Sequence, residues 1–544
     1  MTATTSNWNF ADVWEAISRE QPDRPALRRG DLTRSWSDFE SRSDSIARGL
    51  CEAGLEPGAR VAQYLTNSTE YVESLFACFK SSLVPVNTNY RYVADELAYL
   101  WLDAGVEAVI FHGAFSASVE EVRSRVPNIR LWLWVDDGVG SCPDWAEPFE
   151  TVAASGVRRE LGVSTRSGDD LYLLYTGGTT GQPKGVMWRQ DDLFCVLNRT
   201  SVIKHPEEGG LGAIAATLSS ADEFRPSVIP AAPLMHGTSA FSAFAALGSG
   251  GTVVLCEGIK FDPIELLSTI ERFSVSDVSI VGDAFAKPLL DALDAEPNRW
   301  DLSSLRSILS SGVIWSAPVK DGLLSHCPSL LCVDTLGSSE AVGLARSISS
   351  SRGTVKTAGF KLGPDAQVIR DDGNPVDRGT GESGLVAIGG RGPIGYYNDP
   401  EKSAKTFQVI GGRRWTTPGD FATVDADGTV HLLGRGSGCI NTGGEKVFPE
   451  EVEETLKLHP DVFDAVVVGA PHKRFGQQVV AFLEPRSGAT LDLDGVIVQA
   501  REHLSAYKLP RHVAVVHSIA RAANGKVDQA HWRAEALALV EPSP

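Results

Sequence analysis

The sequence contains no C-x-x-C pair, no H-E-x-x-H and no cluster of Cys and His at metal-ligand spacing. Its eight cysteines (51, 78, 142, 195, 256, 327, 332 and 439) are scattered over 544 residues, so free buried thiols are expected. A disulfide framework and a structural zinc site are not. A membrane-length apolar run is missing too. The longest stretch free of Asp, Glu, Lys and Arg, Pro226 to Cys256, is broken by Pro230, Pro233 and His236, and it reads as buried core and pocket lining. The opening MTATTSNWNF has neither a basic head nor an apolar h-region, so no secretory signal is expected. Basic residues are in the minority, 50 against 69 acidic for a net charge of −19. Nucleic acid therefore has no general electrostatic reason to bind, although a locally basic phosphate pocket is compatible with that balance. No internal repeat or long low-complexity tract is visible. The expectation is a soluble cytoplasmic protein without an integral membrane segment.

What is present is ordinary for a globular chain: 42% hydrophobic and 22% charged residues, with length enough for several structural units. Ser37-Asp38-Phe39-Glu40 has the pattern of a capping box, followed by Phe39, Ile46, Leu50 and Cys51 on one helical face and Gly54 as a stop. A strand-like run over 60–65, a helix carrying Val72, Leu75, Phe76 and Phe79, and a short strand over 83–86 follow. Strand–helix–strand at this spacing predicts right-handed crossovers and parallel sheet, and the alternation continues to about residue 340. After about residue 360, Asp372-Gly373, Gly389-Gly390, Gly411-Gly412 and Asp427-Gly428 separate short strands, which predicts an antiparallel, hairpin-rich segment. From about 438 a mixed pattern returns: a helix entered through Pro449, strands near 465–469, 479–483 and 512–517, and a helix over 493–505.

The strongest chemical signal is the apolar Tyr172-Leu-Leu-Tyr175 running into TGGTTGQPKG, residues 176–185. Glycines let backbone N–H groups converge on a phosphate, threonine hydroxyls add donors, and Lys184 adds a point charge. The loop is not of Walker type, since Pro183 separates Gln182 from Lys184 and no Gly-Lys-Ser/Thr is present.

With this loop, four further motifs stand in order: Asp334-Thr-Leu-Gly-Ser-Ser-Glu340, Trp415-Thr-Thr-Pro-Gly-Asp420, Gly434-Arg435 followed by Asn441-Thr-Gly-Gly-Glu-Lys446, and Ala523-Asn-Gly-Lys526. Together they resemble the adenylate-forming superfamily of acyl-CoA synthetases, peptide-synthetase adenylation domains and firefly-type luciferases, over nearly the whole chain. The resemblance implies an α/β fold. A large N-terminal domain, residues 1–435, would carry parallel-type sheets flanked by helices plus the hairpin-rich segment. A small mobile α+β domain, residues 436–544, would follow a hinge near Ser437. The implied cofactors and co-substrates are ATP, Mg²⁺ and coenzyme A. Thr176, Gly177, Gly178, Thr179, Thr180, Gly181 and Lys184 would hold the β- and γ-phosphates. Ser311, Gly312, Leu336, Gly337, Ser338 and Ser339 would line the nucleotide, with the Ser339 hydroxyl at the α-phosphate. Asp420 and Arg435 would grip the ribose, and Glu340 would hold the metal. Lys526 would bridge carboxylate and α-phosphate, with Thr176, Lys184 and Glu340 completing the catalytic set. Gly443 and Gly444 would line the thiol tunnel after rotation of the small domain.

Pro233-Leu-Met-His236 resembles the family's strip beside the acyl pocket. Met235, His236, Phe241, Phe285, Leu336 and Gly337 are the candidate acyl-pocket residues. No Asp occupies an obvious amine-binding position, so an apolar carboxylic acid is expected. Local matches at 184–191, 336–340, 441–449 and 459–464 are similar to bacterial fatty acyl and steroid side-chain CoA ligases. The pattern departs from the family at Leu336, where an aromatic is usual, so aromatic stacking on adenine is either missing or supplied by the 311–313 segment or Trp315. It departs again at Ser437, where Asp or Lys is common at the hinge. Lys473-Arg474 or Arg511 would serve either the CoA nucleotide or a carrier protein, and a carrier-protein thiol, an amine acceptor and a non-catalytic adenylate-binding protein remain alternatives. The resemblance also implies a homodimer.

Overall fold

The computed structural model describes residues 7–155, 166–176, 182–207, 210–220, 223–312, 315–353, 359–435, 438, 440–442, 445–472, 476–504, 506–521 and 527–540. The chain forms two compact units. The first comprises Met1–Gly343, Ile348–Val355 and Gly390–Phe407; the second comprises Leu344–Ser347, Lys356–Gly389 and Gln408–Pro544.

The first unit contains two mainly parallel sheets. In one, strands run in the order Gly395–Tyr396, Lys184–Arg189, Leu171–Thr176, Val84–Asn87, Arg60–Tyr64, Val106–His112, Leu131–Val135 and Glu147–Pro148. Only the first two pairings are antiparallel. In the other, Leu32–Ser35 pairs antiparallel with Pro25–Arg29. Thr252–Leu255, Ser227–Pro230, Asp277–Ile280, Ser307–Ser311 and Leu331–Ser338 follow in parallel.

The layering follows from the two-residue period of a strand, which sends neighbouring side chains to opposite faces. Val61 and Ile110 join the largest core cluster together with Val253 from the other sheet. Their neighbours Ala62 and Val109 face a second cluster, and Val254 a third. Helices Phe10–Glu20, Trp36–Glu52, Thr69–Lys80 and Gly237–Gly248 fill the space between the sheets with Phe10, Trp14, Phe39, Phe76 and Phe244. The expected α/β class and parallel sheets are present. The helix after residue 35 is capped two residues earlier than the pattern suggests. Ser35 Oγ accepts from Asp38 N (3.1 Å) while Asp38 Oδ2 accepts from Ser35 N (3.1 Å). Asp38, not Glu40, closes the box, because Glu40 is turned to the Lys80 ammonium (3.1 Å). Gly54 ends the helix at φ +83°, as expected.

In the second unit Gly359–Leu362, Thr429–Arg435, Asp420–Val424 and Ser383–Gly389 form an antiparallel run, with Ala366–Ile369 and Arg413–Thr416 also on Ser383–Gly389. Gly373, Gly411, Gly412 and Gly428 all have positive φ, which is what the Asp-Gly and Gly-Gly turns require. Gly389-Gly390 is an exit rather than a hairpin, since Gly390–Phe407 belongs to the first unit. The C-terminal sheet pairs the long antiparallel strands Val462–His472 and Gly476–Pro485, with His512–Val515 parallel to the latter. Helices Pro449–Leu456, Leu493–Ala500 and Gln529–Val540 accompany them. The helix starting at Leu493 ends at Ala500, five residues short of the expectation.

Candidate active site

The candidate residues of the first unit gather where strands of its two sheets end. Leu171–Thr176 and Lys184–Arg189 are antiparallel partners, with Thr176 opposite Lys184. The loop residues Gly177, Gly178, Thr179, Thr180 and Gly181 lie outside the described residues. Tyr175, just before the loop, is buried and donates its hydroxyl to Asp103 Oδ2 (2.6 Å). Burial, with that carboxylate beside it, pushes the phenol well above the ordinary tyrosine range, so the anchor stays protonated. Lys184 Nζ forms an ion pair with Asp399 Oδ2 and lies 5.9 Å from the centre of the Tyr396 ring. Hydrogen bonding from Lys184 holds the Asp399 carboxyl below its usual range. Asp399 is also the N-cap of helix Pro400–Thr406, its Oδ1 accepting from Lys402 N (2.9 Å).

The segment 336–340 ends the strand Leu331–Ser338, and Leu336, Gly337, Ser338, Ser339 and Glu340 are all partly exposed. Glu340 Oε1 accepts from the Tyr396 hydroxyl (2.8 Å), and Ser339 O accepts from Trp188 Nε1 (2.8 Å). Tyr396 and Trp188 both belong to the other sheet. They therefore bring the loop cation Lys184 and the carboxylate Glu340 to one lip. Ser311 and Gly312 end the neighbouring strand, Gly312 at φ +93°, a conformation that favours glycine.

The acyl strip is held by two asparagines for which no role is legible in the sequence. Asn67 Nδ2 donates to Pro230 O and Ala232 O (both 3.0 Å), and its Oδ1 accepts from Leu234 N (2.7 Å). Asn87 Nδ2 donates to Tyr175 O (2.8 Å) and Met235 O (2.7 Å), while Oδ1 accepts from Tyr175 N (2.6 Å). Met235 is buried, and His236 caps helix Gly237–Gly248 by position. At Gly237 a Cβ would stand 3.2 Å from Phe241, 3.4 Å from Leu174 and 3.5 Å from Ser339 Oγ, so strip, phosphate-loop strand and 336–340 segment meet there. Phe241 packs edge-on to Trp188 at 6.2 Å. Phe285 is 5% exposed and packs on Phe261 at 4.6 Å, in the helical layer of the second sheet. Trp315 is fully buried in that same layer, with Lys320 Nζ 5.4 Å from its ring. Its ring faces are enclosed by protein.

In the second unit Asp420 is buried at the start of Asp420–Val424, directly opposite Arg435 in the antiparallel register. Gly443, Gly444, Lys526, Ser437 and the Lys473-Arg474 pair lie outside the described residues. Arg521, which immediately precedes 522–526, forks onto Asp464 (2.6 and 3.0 Å) and donates to Ala465 O (3.1 Å).

The sequence profile of the AMP-binding enzyme family matches residues 14–397, and that of the AMP-binding enzyme C-terminal domain matches 451–526. The chain belongs to this family. Among AMP-binding enzymes it is 38% identical over 542 residues to a 3-oxocholest-4-en-26-oate–CoA ligase of Rhodococcus rhodochrous, covering 96% of this chain and 94% of the relative. It is also 38% identical over 532 residues to a medium/long-chain-fatty-acid–CoA/3-oxocholest-4-en-26-oate–CoA ligase of Mycolicibacterium smegmatis, covering 96% and 95%. The fold matches that of an anthranilate CoA ligase solved with anthranoyl-AMP, with a TM-score of 0.82 over 98% of both chains at 22% identity. The family confirms the resemblance drawn from the five ordered motifs. Asn67, Asn87, Trp188, Tyr396 and Asp399 are additions from the structure. Of these, Trp188 lies within the 184–191 match and Asp399-Pro400 is a helix-start pair, while the other three have no signal in the sequence.

Proposed function

We propose that the protein is an ATP-dependent, AMP-forming acyl-CoA ligase acting on an apolar carboxylic acid, of the fatty or steroid side-chain type. The observation that carries this reading is the shared lip. Lys184, Glu340 and the Met235–His236 strip are brought together by Tyr396, Trp188 and Asn87 in a family member 38% identical over its length to two such ligases.

In the first step the substrate carboxylate oxygen attacks the α-phosphorus of ATP. The bond to the bridging oxygen breaks, and pyrophosphate leaves. Two anions must approach, so cationic and N–H donors are needed where charge accumulates. Residues 176–184 would cradle the β- and γ-phosphates, Lys184 exchanging Asp399 for a phosphate oxygen. The Ser339 hydroxyl would meet the α-phosphate, and Asp420 with Arg435 would hold the ribose. Glu340 suits Mg²⁺, since it is a hard oxygen donor on a partly exposed lip, held by one hydroxyl and open to a partner that keeps several waters. The metal would supply charge neutralisation across the phosphates. Lys526 would bridge carboxylate and α-phosphate.

In the second step the CoA thiolate attacks the acyl carbonyl, and AMP leaves with the bonding pair. Here we propose that residues 436–544 turn about Ser437, withdrawing Lys526 and bringing Gly443 and Gly444 beside the pantetheine arm. Rotation at that point is eased by Gly434, Gly436 and Gly438. We also propose a cytoplasmic location, in keeping with seven free cysteines among the described residues, and a homodimer testable by light scattering. No helix among the described residues is long and apolar enough to cross a membrane.

The test is incubation with ATP, Mg²⁺, CoA and a panel of fatty, aromatic and steroid side-chain acids, read by mass spectrometry. An acyl-CoA product dependent on one acid class is expected. Acyl-AMP without thioester would move the acceptor to a carrier protein or an amine. Absence of both products would overturn the ligase reading.

A further inference from the structure

A cavity of about 480 Å³ opens in the first unit at the other end of the second sheet from the candidate active site. Pro25, Ser227, Thr252, Ser276 and Arg306 line it, each at or just before the N-terminal end of a parallel strand. The acyl strip, Ser311 and the 336–340 segment follow the C-terminal ends of that same sheet, about 15 Å away at roughly 3.3 Å per residue.

Its wall is arginine-rich in a protein with 19 surplus negative charges. Arg24, Arg28, Arg225 and Arg306 border it, and among the described lining residues Glu223 is the sole carboxylate. Arg225 is committed to structure, donating to Gln21 Oε1 (3.2 Å), Phe224 O (2.9 Å) and Leu218 O (2.8 Å). The other three are not. Among the described residues none of Arg24, Arg28 and Arg306 has a carboxylate within 4.0 Å, Glu223 and the nearby Asp277 included. Asp277 is instead taken by the hydroxyls of Ser276 (2.6 Å) and Ser307 (2.5 Å). Among the described residues the Arg24 guanidinium makes one hydrogen bond, to Glu223 O (3.1 Å). Arg28 Nε is shut off from solvent with no acceptor. The guanidinium planes rest on rings, Arg306 3.7 Å from the centre of Phe224 and Arg28 5.2 Å from that of Phe273. Stacking uses their faces and leaves the N–H edges unspent.

Three cations that no carboxylate among the described residues neutralises repel each other around one hollow. An anion relieves that repulsion. The guanidinium edge matches phosphate oxygens bidentately, serine hydroxyls add donors, and the two phenylalanines offer apolar surface to whatever the phosphate carries. The volume lies within the range of small-molecule sites. From this geometry we propose a second ligand site, for a small soluble phosphate ester with an aromatic or apolar moiety, bound by Arg28, Arg306 and Arg24 between Phe224 and Phe273.

Isothermal titration with phenyl phosphate tests it on the full-length protein and on four variants: Arg28→Gln, Arg306→Gln, Lys184→Ala and Arg123→Gln. Arg123 pairs with Glu120 (3.0 Å) and does not line the cavity. The expected result is one-to-one binding in the wild type, weakened at least about tenfold in each of the first two variants and unchanged in the last two. Arg306 is exposed, so its variant reads out binding without risk to folding. Absence of saturable binding overturns the proposal, as does binding that survives both Arg28→Gln and Arg306→Gln or is lost in Lys184→Ala. Co-sedimentation with phosphatidylglycerol vesicles completes the test. Arginine-dependent pelleting without phenyl phosphate binding would assign the anion to a lipid headgroup and overturn the soluble-ligand site.

Discussion

Asn87 spends its amide on three backbone groups, two of Tyr175 and one of Met235, so a single buried side chain sets the distance between the end of strand Leu171–Thr176 and the 233–236 segment. No hydrophobic or charged residue does this, because the position needs two N–H donors and an acceptor within one plane. Asn87→Ala leaves those groups unpaired at about 1–3 kcal/mol each, some of it recovered by water. We expect kcat/KM for the acid, followed by pyrophosphate release, to fall at least about tenfold. ATP binding measured without acid should change far less. A variant that loses both equally would mean that Asn87 supports the fold rather than the register of the two segments. Lys184 was legible from the loop composition; its partner Asp399, 215 residues away in sequence, was not.

Between elements, one buried ammonium ties three helices together. Lys80, at the end of Thr69–Lys80, meets Glu15 of Phe10–Glu20 at 2.7 Å, and Glu40 and Asp44 of Trp36–Glu52 at 3.1 and 2.6 Å. Burial opposes the charge of Lys80, yet the surrounding carboxylates, Glu15 foremost, hold its pKa above the usual range. Lys80→Met strands those carboxylates and should cost about 3–5 kcal/mol, read as a lower thermal midpoint with KM for ATP unchanged. In the second unit, helix Pro449–Leu456 packs Glu453 against the strand Val462–His472, where Glu453 Oε1 accepts from Val467 N (2.9 Å). Burial raises this carboxyl from 4.5 to about 7. The folded state thus holds the proton more tightly than the unfolded chain. The stability it confers is complete below about pH 4.5 and is lost as the pH rises through 7, about 3 kcal/mol in all. Glu453→Gln keeps the acceptor and removes the titration. Denaturant unfolding of this unit should then lose its decline between pH 5 and 8, and a decline equal to that of the wild type would place the titration elsewhere.

For the whole molecule, the ligase reading divides the reaction between two chemical steps that use different residues. Lys526→Ala should abolish acid-dependent ATP–pyrophosphate exchange while sparing thioester formation from supplied acyl-AMP. Equal loss of both half-reactions would remove Lys526 from the first step and with it the proposed rotation about Ser437. The second cavity adds a prediction at the same scale, since its ligand would touch the far ends of strands that carry the acyl strip.

Much of this was determined by sequence alone. The alternation of strand and helix, the parallel sheets, the positive-φ glycines of the hairpin region and the five ordered motifs are local patterns, each set by side-chain period or by backbone freedom within a few residues. What only the tertiary structure decided is which side chains complete a site from far away in the chain. Tyr396 reaches Glu340, Trp188 reaches Ser339, Asn87 reaches Met235, and Arg24 and Arg28 at one strand meet Arg306 at another around one hollow. The reason is geometric: strands far apart in sequence, within one sheet or on two packed sheets, end side by side. Residues with no pattern in common become neighbours only when the sheet is assembled.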